Sequence, residues 1–153
     1  MALLARLMFT LVHFAARQSG IAPTAQEASS DHTKARETGI RGETYAYWYL
    51  RNLGYIVIRQ NYRVPNRKGE IDLIAWDGPT LAFVEVKTRT TTTVAPPEAA
   101  VDSSKRQHLA EMAREYVARR KLKDVPCRFD VLAIEGRRGQ EPQVRLHRAA
   151  FTF

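Results

Sequence analysis

Asp72, Glu85 and Lys87 stand where a β-strand would ordinarily carry valine or isoleucine, and their types and spacing can do chemistry. They belong to a stretch, residues 68–89, that reads as two apolar runs joined by Asp77-Gly78-Pro79. Asp-Gly between apolar runs is a strong hairpin signal. Side chains alternate between the two faces of a strand. Glu70, Asp72, Ile74 and Trp76 therefore share one face of the first run, and Phe83, Glu85 and Lys87 share one face of the second. A tight hairpin sets the runs side by side and brings Asp72 near Glu85 and Lys87. Upstream, Glu43 falls on the same helical face as Ala46 and Leu50 and offers a third inward carboxylate.

Burying charge in a strand is costly unless the charge is paired or binds a metal. Three close carboxylates repel one another unless a cation neutralises them. Their oxygens suit a hard divalent ion, Mg²⁺ or Mn²⁺. Such an ion can hold a phosphodiester oxygen, offset the charge that builds at phosphorus and activate a water. A lysine beside it can orient or deprotonate that water, or hold the phosphate. Each residue alone has a plainer reading. Glu85-x-Lys87 by itself is a structural ion pair, and Glu43 by itself is a first-turn acid favoured by the helix dipole. Asp72 at hairpin distance, with Glu43 ahead of it, turns the set toward a metal site.

The elements that must position these residues follow from periodicity. Ala46, Leu50 and Leu53 predict a helix over 41–53, stopped by Gly54. Residues 55–64 are β-branched and aromatic and predict extended chain, and 65–69 a turn. After the hairpin comes a Thr-rich loop, 89–97, and then one helical turn near 98–101. Ser104 and Gln107 form a capping box for a helix reaching about Lys121, with Leu109, Met112, Ala113, Tyr116 and Val117 on its apolar face. Residues 128–134 and 143–147 predict two last strands around a Gly-Arg-Arg-Gly turn. The sum is an α/β fold with a mixed sheet flanked by helices.

Residues 1–17 are apolar, with Leu3, Leu7, Leu11 and Phe14 on one helical face. The run is shorter than the roughly 20 residues that cross a bilayer, and Arg6 and His13 interrupt it. It is expected to be a short helix packed on the domain or lying at a surface, without stable membrane insertion. Residues 18–38 are small and polar and read as a flexible linker. The domain organisation expected is thus an extension over 1–38 and one domain over 39–153.

The 153 residues carry a formal net charge of +8 and a pI near 10.0. The excess rises along the chain, from +1 over 1–39 and +2 over 40–99 to +5 over 100–153. That balance points to a polyanionic partner, nucleic acid first and an anionic membrane surface second. The single cysteine, Cys127, excludes an internal disulfide and a cysteine-based zinc site, and fits a reducing, cytoplasmic setting. His13, His32, His108 and His147 have no ligand spacing and read as surface residues. Glu70 is expected to pair with a basic neighbour, and Asp130 to hydrogen-bond backbone.

Together these residues resemble a known pattern. Glu43 on a helix, then Asp72, then Glu85-Val86-Lys87 on the adjacent strand, resembles the PD-(D/E)xK nucleases of the restriction-endonuclease-like fold. More closely, the chain resembles the YraN-like family of bacterial endonuclease-like proteins, related to archaeal Holliday-junction resolvases. The carriers are Gly39-x-x-Gly42-Glu43, Asn61-x-Arg63, Gly69-Glu70-Ile71-Asp72-Leu73-Ile74-Ala75, Phe83-Val84-Glu85-Val86-Lys87-Thr88-Arg89, Pro97-Glu98-Ala99, Lys105 and Arg128-Phe129-Asp130-Val131. The likeness covers residues 39–153, and Ile71 replaces the proline that leads the superfamily motif. It implies a Mg²⁺- or Mn²⁺-dependent phosphodiesterase. Asp72, Glu85 and Glu43 would be the metal ligands and Lys87 the catalytic lysine. Arg63, Arg89 and Lys105 are expected at phosphates. The partner expected is DNA ahead of RNA, and branched DNA would suit a two-fold homodimer. The competing expectation is a nucleic-acid-binding module of the same fold with little or no catalysis.

Overall fold

The computed structural model of the chain describes residues 2–21, 32–89 and 103–151, and the side chains of all of these except 32–36 and 89. In chain order it holds α1 (Ala2–Ser19), α2 (His32–Asn52), β1 (Ile56–Tyr62), β2 (Ile71–Asp77), β3 (Thr80–Arg89), α3 (Ser103–Arg119), β4 (Cys127–Glu135) and β5 (Gln143–Phe151). The strands form one mixed sheet in the order β1-β2-β3-β4-β5, and the helices flank it. Helix α2 runs through the boundary expected at 38/39 and begins at His32, so the last seven residues of the expected linker are helical. Gly39 is tolerated inside the helix, which contains no proline. The Thr-rich loop from 90 on and the helical turn expected at 98–101 lie outside the described residues. Among the described residues, no helix is long and apolar enough to cross a membrane.

Each strand junction follows local chemistry. Strands β1 and β2 are antiparallel, Tyr62 opposite Ile71, and the register shifts between Val57 and Arg59. That shift is a β-bulge, one extra residue in an outer strand. Strands β2 and β3 form the predicted hairpin, with Asp77 opposite Thr80 across a turn in which Gly78 has φ of 57°. Asn61 in β1 and Ala149 in β5 also hold left-handed backbone, φ 50° and 51°.

The described chain divides into two compact units. One holds α1, α2, β3 from Val86 onward and the stretch from Leu132 to Leu146. Here α1 packs on α2, with the Phe9 ring edge-on to Tyr45 and Tyr49 at 5.6 and 5.8 Å between centroids. His13 lies half-buried between the Tyr45 hydroxyl and the Glu141 carboxylate, each at 2.7 Å, rather than free at the surface. Burial raises the Tyr45 phenol above its ordinary value. The end of α1 is tied down by the Gly139 N–H, which donates to the Arg17 carbonyl at 2.7 Å. Helix α2 meets β3 closely: a Cβ added to Gly42 would stand 2.4 Å from Thr88 Cγ2.

The other unit holds β1, β2, β3 up to Glu85, α3, β4 up to Val131 and β5 from His147. Its core packs Leu109, Met112, Ala113 and Tyr116 of α3 on Ile74, Leu81, Phe83, Phe129 and Val131 of the strands. The large side chains in that set stabilise the fold by roughly 2 kcal/mol each. A polar cluster lies at the hairpin end. Arg128 donates to Asp77 at 2.6 Å, to Asp130 at 2.9 Å and to the Tyr55 hydroxyl at 3.0 Å. Asp130 also accepts the Ala149 backbone N–H at 3.0 Å, as expected of a buried strand carboxylate.

Candidate functional site

The site begins with a register. Leu73 stands opposite Val84 and Ile74 opposite Phe83. Carried one step beyond its last pair, that register sets Asp72 across from Glu85. Residues directly opposed on antiparallel strands point to the same face, with Cβ atoms about 5 Å apart, and like charges so placed repel. Both are buried, at 9% and 3% exposure. They share their face with Ile74 and Phe83, the face that α3 covers. The fold thus holds two carboxylates side by side at the margin of its core.

Helix α3 brings a cation to them. Lys105, in its first turn, donates from Nζ to Glu85 Oε1. The lysine side chain is 40% exposed, so the cation sits at the rim with the carboxylate beneath it. A hollow of about 350 Å³ opens there, lined by Lys68, Glu70, Asp72, Ser104, Lys105 and His108. Glu70 is held by Arg63 at 2.8 Å, the basic partner expected for it. A larger hollow, about 500 Å³, lies at the other end of α3 against Val117, Leu122 and Cys127. It has no carboxylate, and burial pushes the Cys127 thiol up, away from the reactive thiolate. The smaller hollow, by contrast, is lined by the carboxylates of Glu70 and Asp72.

Asp72, Glu85 and Lys105 come together in one unit. Glu43 and Lys87 belong to the other. Glu43 follows Gly42 on α2 and is half-buried, and Lys87 precedes Thr88 on β3 and is half-buried too. The close approach of Gly42 to Thr88 fixes the α2 turn that carries Glu43 against the end of β3 that carries Lys87. Arg63 is engaged with Glu70, and Lys105, expected at a phosphate, is engaged with Glu85. Arg89 ends β3, and its side chain is not among those described.

Among the described residues, no three His, Cys, Asp or Glu side chains are gathered closely enough to hold a metal ion. The donor set present is Asp72, which lines the hollow, and Glu85, buried beneath Lys105. It fits Mg²⁺ as that ion is commonly bound, by one or two carboxylates together with water and substrate phosphate oxygens.

Sequence reasoning did not find the Lys105–Glu85 contact or the Arg128 cluster. For the second a signal exists: Arg128 and Asp130 alternate onto one strand face, and Asp77 ends the hairpin strand. For the first none does, since the two residues are twenty apart in different elements.

A five-stranded mixed sheet flanked by helices, with paired carboxylates on its hairpin, is the restriction-endonuclease-like α/β architecture. The family model described as uncharacterised protein family UPF0102 matches residues 42–134, a span that includes every candidate residue named above. The chain is 42% identical to a UPF0102 protein of Koribacter versatilis over 121 residues, 79% of this chain and 83% of the relative. It is 37% identical to one from Geotalea uraniireducens over 123 residues, 80% and 95% of the two chains. A third, from Solibacter usitatus, is 50% identical over 93 residues, 61% of this chain and 70% of its own. The chain belongs to the UPF0102 family, the YraN-like family of the endonuclease-like superfamily.

Proposed function

We propose that this protein is a divalent-metal-dependent nuclease that hydrolyses phosphodiester bonds in DNA, acting on branched or otherwise structured DNA in the cytoplasm. The observation that carries the reading is the pair of buried carboxylates Asp72 and Glu85 that the β2–β3 register brings together, Asp72 lining a hollow with lysines on its rim. Two buried carboxylates facing each other cost stability by themselves, and a site evolved to hold a cation explains the arrangement.

Asp72 and Glu85 would hold Mg²⁺ or Mn²⁺, with water completing the shell. When bound, the ion would supply positive charge to the phosphate oxygens and a more acidic water. Lys87 would orient that water and take up its proton. Lys105 at the rim would hold the phosphate as a point charge, and Arg63 and Arg89 would engage neighbouring phosphates. The net charge of +8 suits a polyanion. No base-reading motif is visible in the sequence, so recognition would run through backbone and shape. A homodimer would present two sites to a two-fold symmetric junction.

A second reading, a DNA-binding module without catalysis, draws support from the Lys105–Glu85 contact, which already neutralises one carboxylate. Cleavage of supercoiled, single-stranded and four-way-junction DNA in Mg²⁺ or Mn²⁺ separates the two. The nuclease reading expects cutting that EDTA stops and that Asp72→Ala or Glu85→Gln abolishes, while Lys87→Ala slows it on the order of a hundredfold. DNA affinity that persists in EDTA, with wild type and Asp72→Ala equally inert on every substrate, selects the binding module.

A further inference from the structure

Helix α1 turns an apolar face to water. Leu3, Leu4, Leu7, Leu11 and Phe14 are 83%, 54%, 58%, 56% and 61% exposed. At 3.6 residues per turn these five fall within one stripe about 100° wide. The other side of the helix is already used: Ala5 and Ala16 are buried, Phe9 meets Tyr45 and Tyr49, and His13 bonds Tyr45 and Glu141. Single exposed leucines are ordinary, but five large apolar side chains in one stripe mark a surface that something covers.

Charge says what covers it. Residues 2–19 contain Arg6 and Arg17 and neither Asp nor Glu. Both arginines are exposed, and both fall on the same flank of the stripe, beside Leu3 and Phe14. Arg17 lies 3.5 Å from Glu141, while Arg6 has no acid on its own helix. Exposed Arg137 and Arg138 sit in the turn whose backbone is tied to the end of α1. A second copy of this face would set arginines against arginines with no acid on either helix to answer them. An anionic surface that is also apolar a few ångströms in answers both features at once.

We propose that α1 docks the protein on an anionic phospholipid surface. The helix lies in the interfacial plane, with Leu3, Leu7, Leu11 and Phe14 among the acyl chains and Arg6 at the phosphates. With 18 residues and no span apolar enough to cross, it rests on the bilayer and does not pass through it. The stripe contains none of the residues proposed for catalysis, so the docking is tested apart from that reading.

The test is flotation of the full chain with vesicles of phosphatidylcholine alone or mixed with phosphatidylglycerol. Wild type is expected to bind the anionic vesicles about tenfold more tightly than the neutral ones, and to lose that preference in high salt. Leu7→Ser with Leu11→Ser changes only exposed positions. It should leave the melting curve unchanged and weaken binding about a hundredfold. Arg6→Glu should remove the anionic preference. Failure of the wild-type chain to float with either vesicle overturns the proposal, as does equal binding by the serine variant. A wild-type dimer in sedimentation equilibrium that the serine variant converts to monomer, with no lipid binding by either, assigns the stripe to self-association and overturns it too.

Discussion

Lys105 holds a buried carboxylate from an exposed position, and that asymmetry sets what its removal does. Glu85 cannot turn to water when the ammonium is gone, since only 3% of it is exposed. Breaking a buried ion pair is expensive mainly because a charge stays behind. Half of the usual penalty is a fair discount, given that the lysine is 40% exposed. Lys105→Met should therefore destabilise the fold by about 2 kcal/mol, a drop of about 4–8 °C in Tm. Mg²⁺ should then raise the Tm of the variant more than that of wild type, because the ion takes over the neutralising role. Equal melting of the two proteins in EDTA and in Mg²⁺ would show that the contact contributes nothing.

At the scale of elements, the approach of α2 to β3 rests on a missing side chain. A Cβ at Gly42 would meet Thr88 Cγ2 at 2.4 Å and Oγ1 at 3.2 Å. Thr88 is β-branched and cannot swing away freely. Gly42→Ala gains helix propensity of up to about 1 kcal/mol, and the overlap costs about 1–3 kcal/mol. The net expected is loss of stability, together with loss of the proposed cleavage as Lys87 shifts. Adding Thr88→Ala removes the obstructing atoms, so the double variant should recover the wild-type melting temperature or exceed it. A double variant as unstable as Gly42→Ala alone would refute the contact. Glycine spacing at 39 and 42 was visible in the sequence, but its purpose was not, because that purpose is a neighbour more than forty residues away. The same distinction runs through the fold. The Asp77-Gly78 hairpin and the alternation of Asp72 with Ile74 are local rules, and both are obeyed. The burial of His13 between Tyr45 and Glu141 depends on packing that no local pattern encodes.

For the molecule as a whole, acid stability should report the cluster around Arg128. The hydrogen bond from Arg128 holds the Asp77 carboxyl below its usual value, more than burial lifts it. A carboxylate depressed in the folded state adds stability above its unfolded pKa, near 3.9, and loses it as pH falls through the lower folded value. Wild type should thus exceed Asp77→Asn by a constant margin in urea midpoint above about pH 5, and the margin should close below about pH 4. A margin unchanged down to pH 2 would rule the linkage out. The same chain must also stay apart from its neighbours. The outer strands of the sheet are β1 and β5, the two with a left-handed residue, Asn61 and Ala149, and β1 has the bulge near Ile58 as well. Each kink turns a run of backbone N–H and C=O groups out of line. An unfolding or crowded population is therefore denied the straight template on which strands of successive molecules stack into aggregates. Removing these irregularities would make a more regular sheet and a less soluble protein.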